Sequence, residues 1–125
     1  LGGCKFMGAL LKAEDLVELI QCATGWDDFT VNDFRKSGER IYNLIRVYCN
    51  REGIRRHDDM LPERLVKEPL PDGPAEGMVI DMETLEMLKD AYYTFRGWNL
   101  HDGIPSLAKL KELSLDDLIE DVKKM

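Results

Sequence analysis

The sequence predicts an all-α fold, an irregular multi-helix domain with a long proline-rich connecting strap. Three observations carry that prediction. Apolar residues recur at i, i+3, i+4 and i+7 in several windows, the spacing of one helix face. Apart from the short stretch MVI at residues 78–80, nothing reads as a strand. Four of the five prolines fall between residues 54 and 80, so the helices sort into two groups joined by one strap.

The apolar stretch from Phe6 to Ala13 predicts a short helix behind the Gly2-Gly3 start. Leu16, Leu19, Ile20 and Ala23 then share a helix face, and Gly25 is a natural left-handed stop. Thr30, with Asp33 three residues on, predicts the start of the longest helix. Its expected apolar stripe is Phe34, Gly38, Ile41, Leu44, Ile45 and Tyr48, its end lies near Arg51, and Gly53 closes it. Pro62 suits the first turn of a short helix, PERLVK. Pro69, Pro71 and Pro74 forbid its continuation, so EPLPDGPAEG is expected to be extended and exposed. A strap of this length has to lie on something. Asp81 caps a helix in which Leu85, Leu88, Tyr92 and Phe95 share a face, and Gly97 ends it. GWNLHDGIPS is turn chemistry. Ser106 caps a helix through Leu113. Ser114 with Asp117 begins a last one, where Leu115, Leu118, Ile119 and Val122 repeat the helical spacing before Lys123 and Lys124.

A chain of 125 residues fits one domain and can bury roughly two-thirds of the surface it exposes unfolded. Seventeen basic against twenty-four acidic residues give a net charge of −7. That balance argues against a non-specific nucleic-acid or anionic-membrane surface, since both need positive charge. No apolar run approaches the ~20 residues of a membrane span. The cysteines are Cys4, Cys22 and Cys49, with no CxxC pair, so a self-contained zinc site or disulfide framework is not expected. A reducing compartment, the cytoplasm, is the simpler location. Cys22 and Cys49 sit within apolar helical patterns and are expected to be small buried hydrophobes. Cys4 follows two glycines at what looks like a cut end.

RRHDD, Arg55 to Asp59, is the densest titratable cluster. His57 beside two carboxylates could serve as a general base or half a metal site, but adjacent residues do not share a face, so a solvated turn with Arg offsetting Asp is expected. His101-Asp102 reads as a turn. Trp26 and Trp98 each follow a glycine at a helix end and are expected to seal the core there. Of Tyr92 and Tyr93, one is expected in the core and the other at an interface. Dinucleotide, P-loop, serine-elbow and HExxH patterns are absent.

Several stretches together resemble one family. LGGCKF, ATGWDDFTVNDFRKSGERIYNLIRVYCNREGIRRHDDMLPERLVKEPLPDGPAEG and LKDAYYTFRGWNLHDGIPS are similar to the C-terminal part of the tungsten-containing aldehyde ferredoxin oxidoreductases, from Leu1 to about Leu113. The order of TGWD, GERIYNL, REG, DDxLPxR, EPLPDGP and RGW…GIP makes the resemblance specific. It implies that residues 1–125 are the C-terminal helical domain of a larger oxidoreductase and residues 1–5 a severed cluster-ligand loop. In that family an Asp-x-x-Gly-Leu-Cys stretch supplies the fourth cysteine ligand of a [4Fe-4S] cluster beside a tungsten bis-pterin cofactor. Cys4 matches that cysteine and Gly2 the glycine two places before it; Gly3 stands where the family has leucine. The aspartate would precede Leu1. The other three ligands belong to an upstream CxxCxxxC-type segment.

The implied parent enzyme uses tungsten, or molybdenum, with pterin and the cluster. It oxidises an aldehyde to a carboxylate and passes electrons to ferredoxin. Its further partners are the upstream domains of the same polypeptide and, as a homo-oligomer, copies of itself. Alone, this chain is expected to hold no cofactor and to be inactive. A non-catalytic helical interaction module, and a same-family enzyme reducing a different carboxyl or aryl substrate, are the alternatives. A domain separated from its partners should expose apolar surface, with Phe6, Met7 and Leu10 first and the strap next.

Overall fold

The computed structural model describes residues 5–125, with the side chains of Lys5 and Met7 excluded. Among these residues the secondary structure is helical apart from an isolated antiparallel bridge between Trp98 and Pro105, so the all-α expectation holds and MVI is not a strand. The chain divides into two compact units, Leu1–Tyr42 and Asn43–Met125.

In the first unit, Lys5–Ala9 is a 3-10 turn and α1 spans Ala13–Thr24, so the apolar start does not run on as one helix. The Lys12 amide donates to Asp15 Oδ2 at 2.7 Å, satisfying an end donor, and Gly25 closes the helix in the left-handed region. Val17 is the buried side chain of α1, whereas Leu19, on the expected inward face, is exposed. Phe6 and Leu10 are 80% and 87% exposed, as the sequence led us to expect; the Met7 side chain lies outside the described residues. Trp26 is 57% exposed against Phe29, which corrects its expected role as a core seal.

Helix α2 spans Val31–Arg51. Thr30 and Asp33 form the expected reciprocal cap: the Thr30 amide donates to Asp33 Oδ2 at 2.9 Å and the Asp33 amide to Thr30 Oγ1 at 3.2 Å. Its burial is inverted. Asn43, Arg46, Val47 and Asn50, at i, i+3, i+4 and i+7, are buried, while Ile41, Leu44, Ile45 and Tyr48 are exposed.

The second unit continues with a 3-10 turn at Arg56–Asp58, α3 at Glu63–Lys67, and α4 at Met82–Arg96. The strap between α3 and α4 does not stay extended. The Leu70 amide donates to the Met78 carbonyl and the Gly77 amide to the Leu70 carbonyl, closing a loop on itself. Asp81 caps α4 through the Thr84 amide at 2.7 Å, and Gly97 ends it in the left-handed region. Here too the inward face differs from the expected stripe: Leu85 is buried as expected, but it is joined by Lys89 and Tyr93, while Leu88 and Phe95 are exposed and Tyr92 largely so. α5, Leu107–Glu112, starts at the Ser106 cap. A 3-10 turn at Asp116–Leu118 leads into the short α6, Ile119–Val122. Leu110, Leu113, Ile104, Trp98 and Val47 complete the core of this unit.

Candidate functional site

The motif residues of the second unit converge on one buried network. α2 presents Asn43 and Arg46 inward, and the segment after the Arg56–Asp58 turn brings Asp59 opposite them. α4 supplies Tyr93, and the turn beyond it supplies Trp98 and Gly103. Arg46 donates from Nη1 to Asp59 Oδ1 at 2.7 Å, from Nη2 to Asp59 Oδ2 at 2.6 Å, and from Nε to the Gly103 carbonyl at 2.8 Å. This is a bidentate, charge-assisted pairing. The Tyr93 hydroxyl also donates to Asp59 Oδ2. The guanidinium lies 4.8 Å from the Trp98 ring centre and 5.8 Å from that of Tyr93, within cation–π range. Trp98 Nε1 donates to Asn43 Oδ1 at 2.8 Å.

Gly103 is required where it stands. Its φ is +73°, and a Cβ there would come within 2.2 Å of Arg46 Nη2 and 3.0 Å of the Tyr93 hydroxyl. The turn holding it is closed by the Asn99 amide on the Ile104 carbonyl and the Gly103 amide on the Asn99 carbonyl, both at 2.8 Å. The Ile104 amide donates to Asp102 Oδ1 at 2.9 Å.

A second ionic layer adjoins the first. Arg56 reaches Glu86 Oε2 and Asp90 Oδ1, each at 2.5 Å, and the Leu100 carbonyl at 2.8 Å. The buried Lys89 donates to Glu86 Oε1 at 2.6 Å and to the Arg56 carbonyl at 3.2 Å. Asn50 Nδ2 donates to the Ile54 carbonyl at 2.9 Å, while its buried Oδ1 has no hydrogen-bond partner among the described residues.

These contacts set the proton affinities. Burial opposes ionisation of Asp59, but the hydrogen bonds from Arg46 and Tyr93 outweigh it and hold the carboxyl below its usual range. Burial pushes the Tyr93 hydroxyl up, and its bond to Asp59 pushes it further. Burial works against the Arg46 charge, yet the Asp59 hydrogen bond raises its affinity for protons overall. Lys89 first, then Arg56, holds Glu86 low. At neutral pH the network is therefore a charged pair with a neutral phenol. Its donors are engaged, and it offers no group poised as base or nucleophile. It braces α2, α4 and the 97–106 turn against one another.

The sequence-predicted site residues fall elsewhere. Gly2, Gly3 and Cys4 lie outside the described residues. Cys22 is exposed and Cys49 half-buried, which corrects the expectation that both are core hydrophobes. Among the described residues, no group of three or more His, Cys, Asp or Glu side chains could hold a metal ion. These residues do not by themselves fit an iron–sulfur cluster, which is held by a set of thiolates.

RRHDD splits by burial. His57 is exposed, 3.2 Å from Asp58, as the solvated-turn reading expects, but Arg56 and Asp59 leave the solvent to join the two ionic layers. Trp98 takes the core position expected of it; of the two tyrosines it is Tyr93, outside the expected stripe, that is buried, while Tyr92 is 37% exposed. Arg46, Asn43 and Asn50 were missed. Their signal was a polar stripe at i, i+3 and i+7 within the longest helix, competing with an apolar stripe on the same helix.

No helix among the described residues is long and apolar enough to cross a membrane. Residues 1–115 match the family described as "Aldehyde ferredoxin oxidoreductase, domains 2 & 3". The tungsten-containing aldehyde ferredoxin oxidoreductase of Pyrococcus abyssi is 41% identical over 119 residues, covering 94% of this chain and 19% of that protein. The enzyme of the same name from Pyrococcus horikoshii is 40% identical over 119 residues, again 94% of this chain and 19% of the relative. That from Thermococcus kodakarensis is 37% identical with the same coverage. The chain thus spans about a fifth of the length of these relatives. Matched from residue 1 to residue 115, and with Asn43, Asp59, Trp98 and Gly103 of its motifs gathered into one buried network, the chain belongs to the aldehyde ferredoxin oxidoreductase family.

Proposed function

We propose that this chain is the C-terminal helical part of a cytoplasmic tungsten (or molybdenum) bis-pterin, iron–sulfur oxidoreductase. The whole enzyme oxidises aldehydes to carboxylates and delivers the electrons to ferredoxin, and the chain alone is inactive. One observation carries the reading: relatives of about 40% identity across 94% of the chain bear the name tungsten-containing aldehyde ferredoxin oxidoreductase. When bound, the metal–pterin group and the cluster supply the redox chemistry.

The chain's own contribution is positional. Cys4 offers one thiolate to the [4Fe-4S] cluster, and Gly2 and Gly3 allow backbone to approach a bulky cofactor without a Cβ in the way. The Arg46–Asp59 brace holds α2, α4 and the 97–106 turn of the second unit together. The described side chains, engaged in structural pairs, leave the reacting groups to the rest of the polypeptide.

The test uses the whole protein, assembled anaerobically with tungstate. Aldehyde-dependent reduction of a viologen dye is expected, with a reduced-cluster signal in electron paramagnetic resonance that Cys4→Ser alters or abolishes. A metal-loaded protein that oxidises no aldehyde, or an unchanged cluster in Cys4→Ser, would sink the proposal. So would aldehyde-dependent dye reduction by the purified chain alone.

A further inference from the structure

The part of α2 from Asn43 on, and α4, turn apolar side chains outward and charged ones inward. An amphipathic helix normally turns its apolar stripe inward. In α2 the side chains of Leu44, Ile45 and Tyr48 face out, 46–57% exposed, while Asn43, Arg46 and Asn50 are buried. In α4 Leu88 and Phe95 face out, Phe95 at 80%, and Tyr92 stands edge-on to Trp98, while Lys89 is buried. The inversion is no accident of loose packing, because Arg46 and Lys89 are met by Asp59 and Glu86. Single exposed apolar residues need no explanation, but two stripes on two helices that bury charge instead do.

We propose that the outward stripes, Leu44, Ile45 and Tyr48 on α2 and Leu88 and Phe95 on α4, are each part of an internal docking surface. Its occupant is the part of the same polypeptide that lies outside this stretch. The inference rests on the reading of the chain as part of a larger oxidoreductase. Two facts choose this occupant. The matched relatives are about five times longer than this stretch, so most of such a protein lies outside it. The stripes themselves are aliphatic and aromatic, the composition of a permanent interface rather than of the small, transient encounters of redox carriers. A mobile electron acceptor is therefore not the occupant, and a second copy is an outcome of the test.

The experiment is hydroxyl-radical footprinting of the whole protein, read by mass spectrometry at Tyr48 and Phe95. The same protein unfolded in urea is the reference. At least tenfold slower oxidation in the folded protein is expected at both positions, unchanged on dilution to the monomer. Rates within twofold of the unfolded reference overturn the proposal. So does protection lost when an oligomer dissociates, which assigns the surface to a second copy. In a parallel measurement, Ile45→Lys should lower the thermal midpoint of the whole protein and Glu18→Lys, at an exposed mid-helix position of α1, should not. Equal midpoints for the two variants count against the surface. Aldehyde-dependent dye reduction is measured on the same sample. Activity with unprotected side chains removes only the docking surface, and protection without activity removes only the enzymatic reading.

Discussion

Arg46 grips both carboxylate oxygens of Asp59, at 2.7 and 2.6 Å, while its third nitrogen donates to the backbone carbonyl of Gly103. One side chain thereby ties the longest helix to the segment after the 3-10 turn and to the turn after α4. The arrangement explains why polar residues occupy the inward face of α2. A buried guanidinium is costly alone, but here Nε meets a carbonyl and Nη1 and Nη2 meet the carboxylate of Asp59.

Asp59→Ala leaves Arg46 buried without its counter-charge. Removing one partner of a buried pair costs about 3–5 kcal/mol; Asp59 is partly solvated, so the lower end, about 3 kcal/mol, is expected. Combining Asp59→Ala with Arg46→Met should cost about 2 kcal/mol less than the two single changes added together. Urea denaturation of the four proteins measures this, and simple additivity would show that the pair is not coupled.

The pair and its phenol predict two pH limits. Asp59 has its folded pKa below the ordinary value of 3.8, so its stabilisation is present above that value and is lost as pH falls through the folded pKa. Tyr93 has its folded pKa raised above the ordinary value of 10.0. Its contribution is complete below 10.0 and is lost as pH rises above it, when the unfolded phenol ionises first. Stability profiles of Asp59→Asn and Tyr93→Phe should each flatten one limb, acid and alkaline respectively. A Tyr93→Phe profile that keeps the full alkaline loss would contradict the assignment.

Gly103→Ala and Gly73→Ala separate backbone strain from crowding. Both glycines have positive φ, +73° and +88°, but only Gly103 has neighbours where a Cβ would sit. Gly73→Ala is expected to cost about 1 kcal/mol. Gly103→Ala should cost about 3 kcal/mol, since strain is joined by displacement of the Arg46 guanidinium. Thermal midpoints of the two variants check the order, and equal losses would mean that the turn relaxes freely.

The exposed Cys22 should react with a soluble thiol reagent several times faster than the half-buried Cys49. Timed alkylation followed by peptide mass spectrometry reads the two sites separately. Equal rates would place both thiols in the same environment.

Local chemistry was legible in the residues themselves. The caps at Thr30, Asp81 and Ser106 and the stops at Gly25 and Gly97 act through neighbours one turn away. A side chain three residues from an orphan amide finds it whatever the rest of the chain does. The loop at 70–78 was misread as extended because its closure depends on a bond between residues eight apart, Leu70 and Met78. Prolines forbid helix there without saying what replaces it.

By itself, then, the sequence determined an all-α chain, most of its helix boundaries and, through the order of its motifs, its family. Only the tertiary structure decided which face of α2 and of α4 turns inward. Periodicity reports that a helix has an apolar side, but burial follows the partners available. Asp59 and Gly103 arrive at Arg46 from distant segments, so no local pattern could show that its charge would be matched. Once it is matched, the polar face can occupy the interior and the apolar stripe is left on the outside.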